Sequence, residues 1–158
     1  MAVHRWDWTT AAPPACLGCV ASIGNFDGVH RGHQAILAAA RQSAIKSDTE
    51  LVVMTFEPHP VAILYPEKAP ARLTPLPLKK YLLEQQKIDC LIILKDSLSL
   101  LKMSPDAFVD KFLIKYIRPS TVVEGETFSF GADRAGSIQT LGDLGKEKGF
   151  DVLTVPPK

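Results

Sequence analysis

Short β-branched and aromatic runs alternate along this chain with stretches of helical period, and that alternation leaves few folds open to it. Cys19 to Ile23 is an apolar run stopped by Gly24, and Glu50 to Phe56 is a denser one that runs into Pro58 and Pro60. Cys90 to Lys95, Thr121-Val122-Val123 up to Gly125, and Phe150 to Val155 before Pro156-Pro157 complete the set. Between them, Ile36, Leu37, Ala40, Ala44 and Ile45 recur at helical spacing, as do Leu78, Leu82 and Leu83. Ser104-Pro105-Asp106 opens a helix that buries Phe108, Phe112 and Ile117, and Ser137 opens another through Leu141 and Leu144. Strands joined through helices need crossover connections. These are right-handed in nearly all cases, which gives a parallel sheet covered on both faces. The expected class is α/β, a Rossmann-like three-layer fold on a parallel five-stranded sheet. Ligands of such sheets bind beyond the carboxyl ends of the strands where strand order reverses, so the loops after the first, second and fourth strands should carry the site.

The length of 158 residues fits one domain. Residues 1–18 are expected to be irregular, ending in Ala11-Ala12-Pro13-Pro14, with the domain spanning 19–158. A formal charge of +1, with Lys and Arg scattered among Asp and Glu, gives no sequence-wide attraction to phosphate backbones, and no nucleic-acid partner is expected. The apolar runs are far shorter than the roughly 20 residues that cross a bilayer. The N-terminus lacks the basic start and continuous apolar stretch of a signal peptide, so no membrane association and a cytoplasmic location are expected. Cys16, Cys19 and Cys90 are read as ordinary buried or half-buried side chains, because Cys19 leads into a strand where a redox dithiol would open a helix. Residues 57–76, with five prolines and little periodicity, are long enough for a functional loop.

The first strand is followed by Ser22-Ile23-Gly24-Asn25-Phe26-Asp27-Gly28-Val29-His30-Arg31-Gly32-His33, three glycines and two histidines directly before a helix. Glycine lets the backbone approach a ligand, and the helix start presents unpaired N–H groups and partial positive charge to an anion. His30 and His33, three apart, reach one side and can donate N–H groups to phosphoryl oxygens. Polyphosphate is the expected guest. The run lacks the Gly-Lys-Ser/Thr of a Walker loop and the glycine spacing of Gly-x-Gly-x-x-Gly, which weakens kinase and dehydrogenase readings.

The run Ile23 to His33 resembles the signature of the His-x-Gly-His nucleotidyltransferases, and its Phe-Asp-Gly-Val-His form resembles bacterial FAD synthetases. Thr55-Phe56-Glu57-Pro58-His59-Pro60, Arg72-Leu73-Thr74, and Phe128-Ser129-Phe130-Gly131 with Arg134 and Gly136 are similar to that family's later signatures, in the same order. The resemblance implies a HUP-type fold and transfer of the adenylyl group of ATP to FMN, giving FAD and pyrophosphate, with Mg²⁺ carried by the ATP phosphates and no metal bound by protein side chains. It implies His30 and His33 as catalytic donors and Ser22, Ile23, Gly24, Phe26, Asp27 and Gly32 around the nucleotide. A loop-stabilising Asx turn is the alternative account of Asp27. Phe56, Pro58, His59, Arg72, Thr74, Thr127 and Phe128 are implied on the flavin side. Core packing is an equal account of Phe56, and Phe128 and Phe130 alternate as core residues would.

Two departures from the family pattern bear on activity. Thr127 stands where Asn or Asp is usual, and it offers fewer hydrogen-bonding sites. The sequence given also ends before the Ser/Thr-Ser-x-x-Arg segment that binds outgoing pyrophosphate and before the usual riboflavin kinase domain, which is expected downstream or as a separate chain. Weak or absent turnover is expected from these 158 residues alone. A non-catalytic nucleotide- or flavin-binding module, or an adenylyltransferase acting on another nucleotide, are the alternatives.

Overall fold

The computed structural model describes residues 1–57, 65–68, 74–95 and 98–157. Six parallel strands form its main sheet: β1 (Ala2–Trp6), β2 (Val20–Ile23), β3 (Leu51–Phe56), β4 (Cys90–Leu94), β5 (Thr121–Gly125) and a last strand, β8 (Asp151–Val155). They lie in the order β1-β4-β3-β2-β5-β8. The chain builds outward from β2 through β3 to β4, then crosses back to lay β5 on the other side of β2. Strand order therefore reverses at the β2/β5 boundary. Two short strands, β6 (Ser129–Phe130) and β7 (Gly136–Ser137), pair antiparallel outside this sheet.

Alternation along the strands sorts the core into two layers. Val20, Leu51, Val53, Leu91, Ile93 and Val123 face α1 (Arg31–Ser47) and α2 (Leu76–Gln85). Ala21, Ile23, Val52, Met54, Ile92, Leu94 and Val122 face the other way, onto a pair of later helices. The first of these begins as α4 (Pro105–Phe108), after the short α3 (Leu98–Leu101), and runs on as a π-helical stretch, Val109–Ile117. The second is α5 (Ile138–Lys148). Ser104 and Ser137 cap α4 and α5 by accepting from Ala107 N and Thr140 N, as their place before the apolar runs predicts. Each fully buried Leu or Ile contributes about 2 kcal/mol from apolar burial, so these layers supply most of the driving force for the fold.

One expectation is corrected, and two apolar positions of the helical pattern lie outward. Residues 1–18 are not irregular throughout, because β1 pairs with β4 from Ala2↔Cys90 to Trp6↔Leu94 and makes a sixth strand. Ile45 keeps helical spacing with the buried face of α1 yet is 60% exposed. In α2, Leu78 lies outward while its neighbour Lys79 is buried at 5% exposure. A lysine stem packs as a hydrocarbon, so helical period alone does not separate the two.

Candidate nucleotide site

Beyond the carboxyl end of β2, the chain makes a strained turn before α1 begins. Phe26 and Val29 both hold positive φ, 50° and 42°, and for a β-branched residue such as Val29 that is a costly conformation. The surroundings impose it. Phe26 and Val29 are buried in the layer beneath α1, Gln34 Nε2 donates to Val29 O at 2.9 Å, and Gly28 N donates to Thr74 Oγ1 at 3.1 Å. Asp27 Oδ1 accepts from both Thr74 N and Thr74 Oγ1 at 2.9 Å. Asp27 and Thr74 thus latch the loop to the segment before α2. Below it, Lys79 Nζ donates to Asn25 O at 2.7 Å.

That turn delivers His30 to the N-cap of α1 and His33 to its first turn. The rings stack with centroids 3.6 Å apart and planes 18° from parallel. His30 Nδ1 accepts from His33 N at 3.3 Å, which leaves the proton of a neutral His30 ring on Nε2, pointing away from the helix as a donor. Burial pushes the His33 ring down to about 4, with His30 and Lys79 adding to the depression and Asp27 opposing it. His33 is therefore neutral at pH 7, which lets the rings stack without charge repulsion. Its buried Nδ1 has no hydrogen-bond partner among the described residues. A Cβ on Gly32 would stand 3.0 Å from His30 Cε1 and 3.2 Å from its Nδ1, so the His30 ring would have to shift by a few tenths of an ångström to admit one.

The rings face a cleft of about 430 Å³ at the β2/β5 reversal. Gly24, Gly32 and both histidines line it together with the apolar Ile36, Val155 and Pro156. A second cleft of about 410 Å³, lined by Phe56, Leu100, Phe108, Phe130 and Arg134, adjoins it. Ile23, Gly24 and Phe128 line both. Phe128 stacks on Phe130 at 5.8 Å, and Arg134 Nε donates to Ser129 Oγ at 2.8 Å. The arrangement is two adjoining chambers, one lined by the two histidines and one with aromatic walls.

Of the expected nucleotide residues, Ile23, Gly24, Phe26, His30, Gly32 and His33 line the first cleft, whereas Ser22 and Asp27 do not. Ser22 is fully buried and turns its hydroxyl to Glu124, and Asp27 holds Thr74. Of the expected flavin residues, Phe56 and Phe128 line the second cleft. Thr127 lies on the first cleft instead, and Thr74 lines neither. Pro58, His59 and Arg72 lie outside the described residues. The sequence reading passed over Glu124 and Lys79. A charged residue inside the apolar run Thr121 to Gly125 was the available signal for the first.

Residues 13–158 match the family described as FAD synthetase. The chain belongs to the FAD synthetase family. It is 38% identical over 137 residues to the bifunctional riboflavin kinase/FMN adenylyltransferase of Escherichia coli K12, which covers 87% of this chain and 44% of that protein. To the protein of the same description from Pseudomonas fluorescens it is 40% identical over 139 residues, 88% of this chain and 44% of the relative. The chain thus spans less than half the length of these relatives. Among solved structures, one described as a macrolide-efflux protein from Streptococcus pneumoniae superposes with a TM-score of 0.82 at 23% identity, over 99% of this chain and 50% of that one. Pantoate-beta-alanine ligase from Francisella tularensis superposes with a TM-score of 0.59 at 16% identity, over 89% of this chain and 60% of that one. At those identities the likeness is one of fold. Among the described residues, no helix is long and apolar enough to cross a membrane.

Proposed function

We propose that this chain is an FMN adenylyltransferase module, which joins AMP from ATP to the phosphate of FMN and releases pyrophosphate. The observation that carries the reading is the pair of stacked histidines at the start of α1, facing a cleft that shares a wall with an aromatic second cleft. The relatives' description as FMN adenylyltransferases supports the same chemistry. ATP fits the first cleft with its base against Ile36, Val155 and Pro156 and its phosphates toward His30, His33 and Gly32. FMN fits the second, its ring against Phe56 and Phe128, so that its phosphate meets the α-phosphorus near Gly24. Pro58, His59 and Arg72 belong to the flavin side in this reading, and a riboflavin kinase domain of the kind named in the relatives is the expected partner.

A phosphate oxygen of FMN attacks the α-phosphorus, forming one P–O bond as the bond to the bridging oxygen of pyrophosphate breaks. Such a step needs alignment and charge neutralisation more than proton transfer. His30 Nε2–H, the His33 ring and the N–H groups at the start of α1 are fixed donors for the oxygens that gain charge. These nitrogen donors suit phosphate. Mg²⁺ prefers hard oxygen ligands and would arrive on the ATP phosphates, neutralising charge there.

The reading is tested by incubating the protein with ATP, Mg²⁺ and FMN and measuring FAD by chromatography and pyrophosphate by a coupled assay. FAD and pyrophosphate should form in equal amounts, and His30→Ala should lower the rate about a hundredfold, as for loss of one oxyanion-type donor. Protein that binds ATP and FMN but makes no FAD, both as these 158 residues and when extended by downstream sequence carrying the pyrophosphate-binding segment, would instead be a binding module.

A further inference from the structure

Backbone groups of a parallel strand alternate sides, and β2 obeys this: Val20 N and Gly24 N both donate toward the β3 side, to Glu50 O and Met54 O. Ile23 N therefore faces β5. The β2/β5 pairing, however, ends at Ala21↔Val122, while β5 stays with β8 as far as Gly125↔Val155. The two strands splay at Ser22 and Ile23, and the splay opens the nucleotide cleft. An open splay would leave Ile23 N–H buried without its ladder carbonyl, at a cost comparable to a lost hydrogen bond.

Glu124 fills that gap. Continued in register it would lie beside Ile23. Its side chain, only 3% exposed, turns back so that Oε1 accepts from Ile23 N at 2.6 Å and from Ser22 Oγ at 3.5 Å. Oε2 makes no hydrogen bond among the described residues, and Glu124 lines the nucleotide cleft. We propose that Glu124 is a positioning residue for the nucleotide: it wedges β2 and β5 apart, fixes the Ile23–Gly24 turn through the Ile23 amide, and presents Oε2 at the floor of the cleft. Burial pushes its carboxyl well above the usual carboxylate range, with the bonds from Ile23 and Ser22 opposing, which favours the protonated form. Oε1 already accepts, so the proton sits on Oε2, and the cleft floor gains a neutral donor rather than a charge facing phosphates. A carboxylate there would repel the guest.

The inference rests on the nucleotide reading of this cleft, and two measurements keep their fates apart. Glutamine copies a protonated glutamate, with an acceptor for Ile23 and an N–H₂ donor for the cleft, whereas methionine keeps the length and loses both. In calorimetric titrations with Mg-ATP and separately with FMN, E124Q should bind both within about threefold of wild type. E124M should weaken ATP about tenfold or more and FMN by clearly less, since Glu124 lines only the first cleft while Ile23 and Gly24 line both, the tenfold corresponding to loss of one hydrogen bond. Amide exchange at Ile23, which needs no ligand, should stay slow in wild type and E124Q and become fast in E124M. If E124M fails to fold, E124D, too short to reach Ile23, takes its place with the same expectations. Wild-type affinity in E124M, equal losses of ATP and FMN, or E124Q as impaired as E124M would each overturn the proposal. Wild-type protein that takes up no ATP would overturn the nucleotide reading and with it the positioning role, while the Ile23 exchange comparison would still decide the wedge.

Discussion

At the scale of single residues, the site depends on a His33 ring that burial keeps neutral. His33 sits about 4 because burial disfavours its charged form and His30 and Lys79 add like charge. Its folded value lies below its ordinary 6.5, so on acidification the unfolded chain takes up a proton first. The stability this contributes is therefore present above about pH 6.5 and is lost as pH falls toward 4. His33→Gln should flatten the fall in stability over that window, measured as urea midpoints. By NMR, the His33 ring of the free protein should titrate near 4 and move upward when ATP brings phosphate charge to it. An ordinary midpoint in the free protein would contradict the burial that the stacked pair requires. The histidines were legible in the sequence because their spacing and the glycines around them suit one task. Glu124 was not, since its work depends on where β2 and β5 part, which no local pattern records.

At the scale of elements, the β2–α1 connection carries opposing demands. A Cβ on Gly32 would press on His30 Cε1 and Nδ1 at 3.0 and 3.2 Å, although alanine suits helical backbone better than glycine. Gly32→Ala should therefore leave thermal stability unchanged or raised by up to about 1 kcal/mol while weakening ATP binding about tenfold. Loss of both together would mean that the glycine serves folding alone. The strand-loop-helix order was readable because each element has a local cause: β-branched runs, glycine at close approaches, serine caps. The Asp27–Thr74 latch was half readable. The sequence offered Asp27 as a turn former, and its partner comes from 47 positions away. The aromatic wall shared by the two clefts, Phe128, could equally have been core until the folded positions of Phe130 and Gly24 placed it.

At the scale of the whole molecule, one crossover from β4 back to β5 creates the crevice, and the sheet on either side holds it in place. The edge strand β1 escaped the sequence reading because Ala2-Val3-His4-Arg5-Trp6 interleaves polar residues and buries little besides Trp6. Trp6 anchors it. Its ring lies 6.0 Å from both Phe112 and Tyr116, and its Nε1 donates to Thr10 O. Trp6→Ala should cost about 3 kcal/mol or more of unfolding free energy, in the range for core aromatic truncation, with ATP affinity unchanged because the cleft lies at β2 and β5. An equal loss of ATP affinity would mean that the outer strands shape the site. The most direct test of the account as a whole is calorimetric titration of Mg-ATP into the wild-type protein, His30→Ala and His33→Ala. Stacked imidazoles that hold the triphosphate predict one site in the wild type and affinity at least about tenfold lower in each variant, with the fold intact. Unchanged ATP affinity in both variants would contradict it.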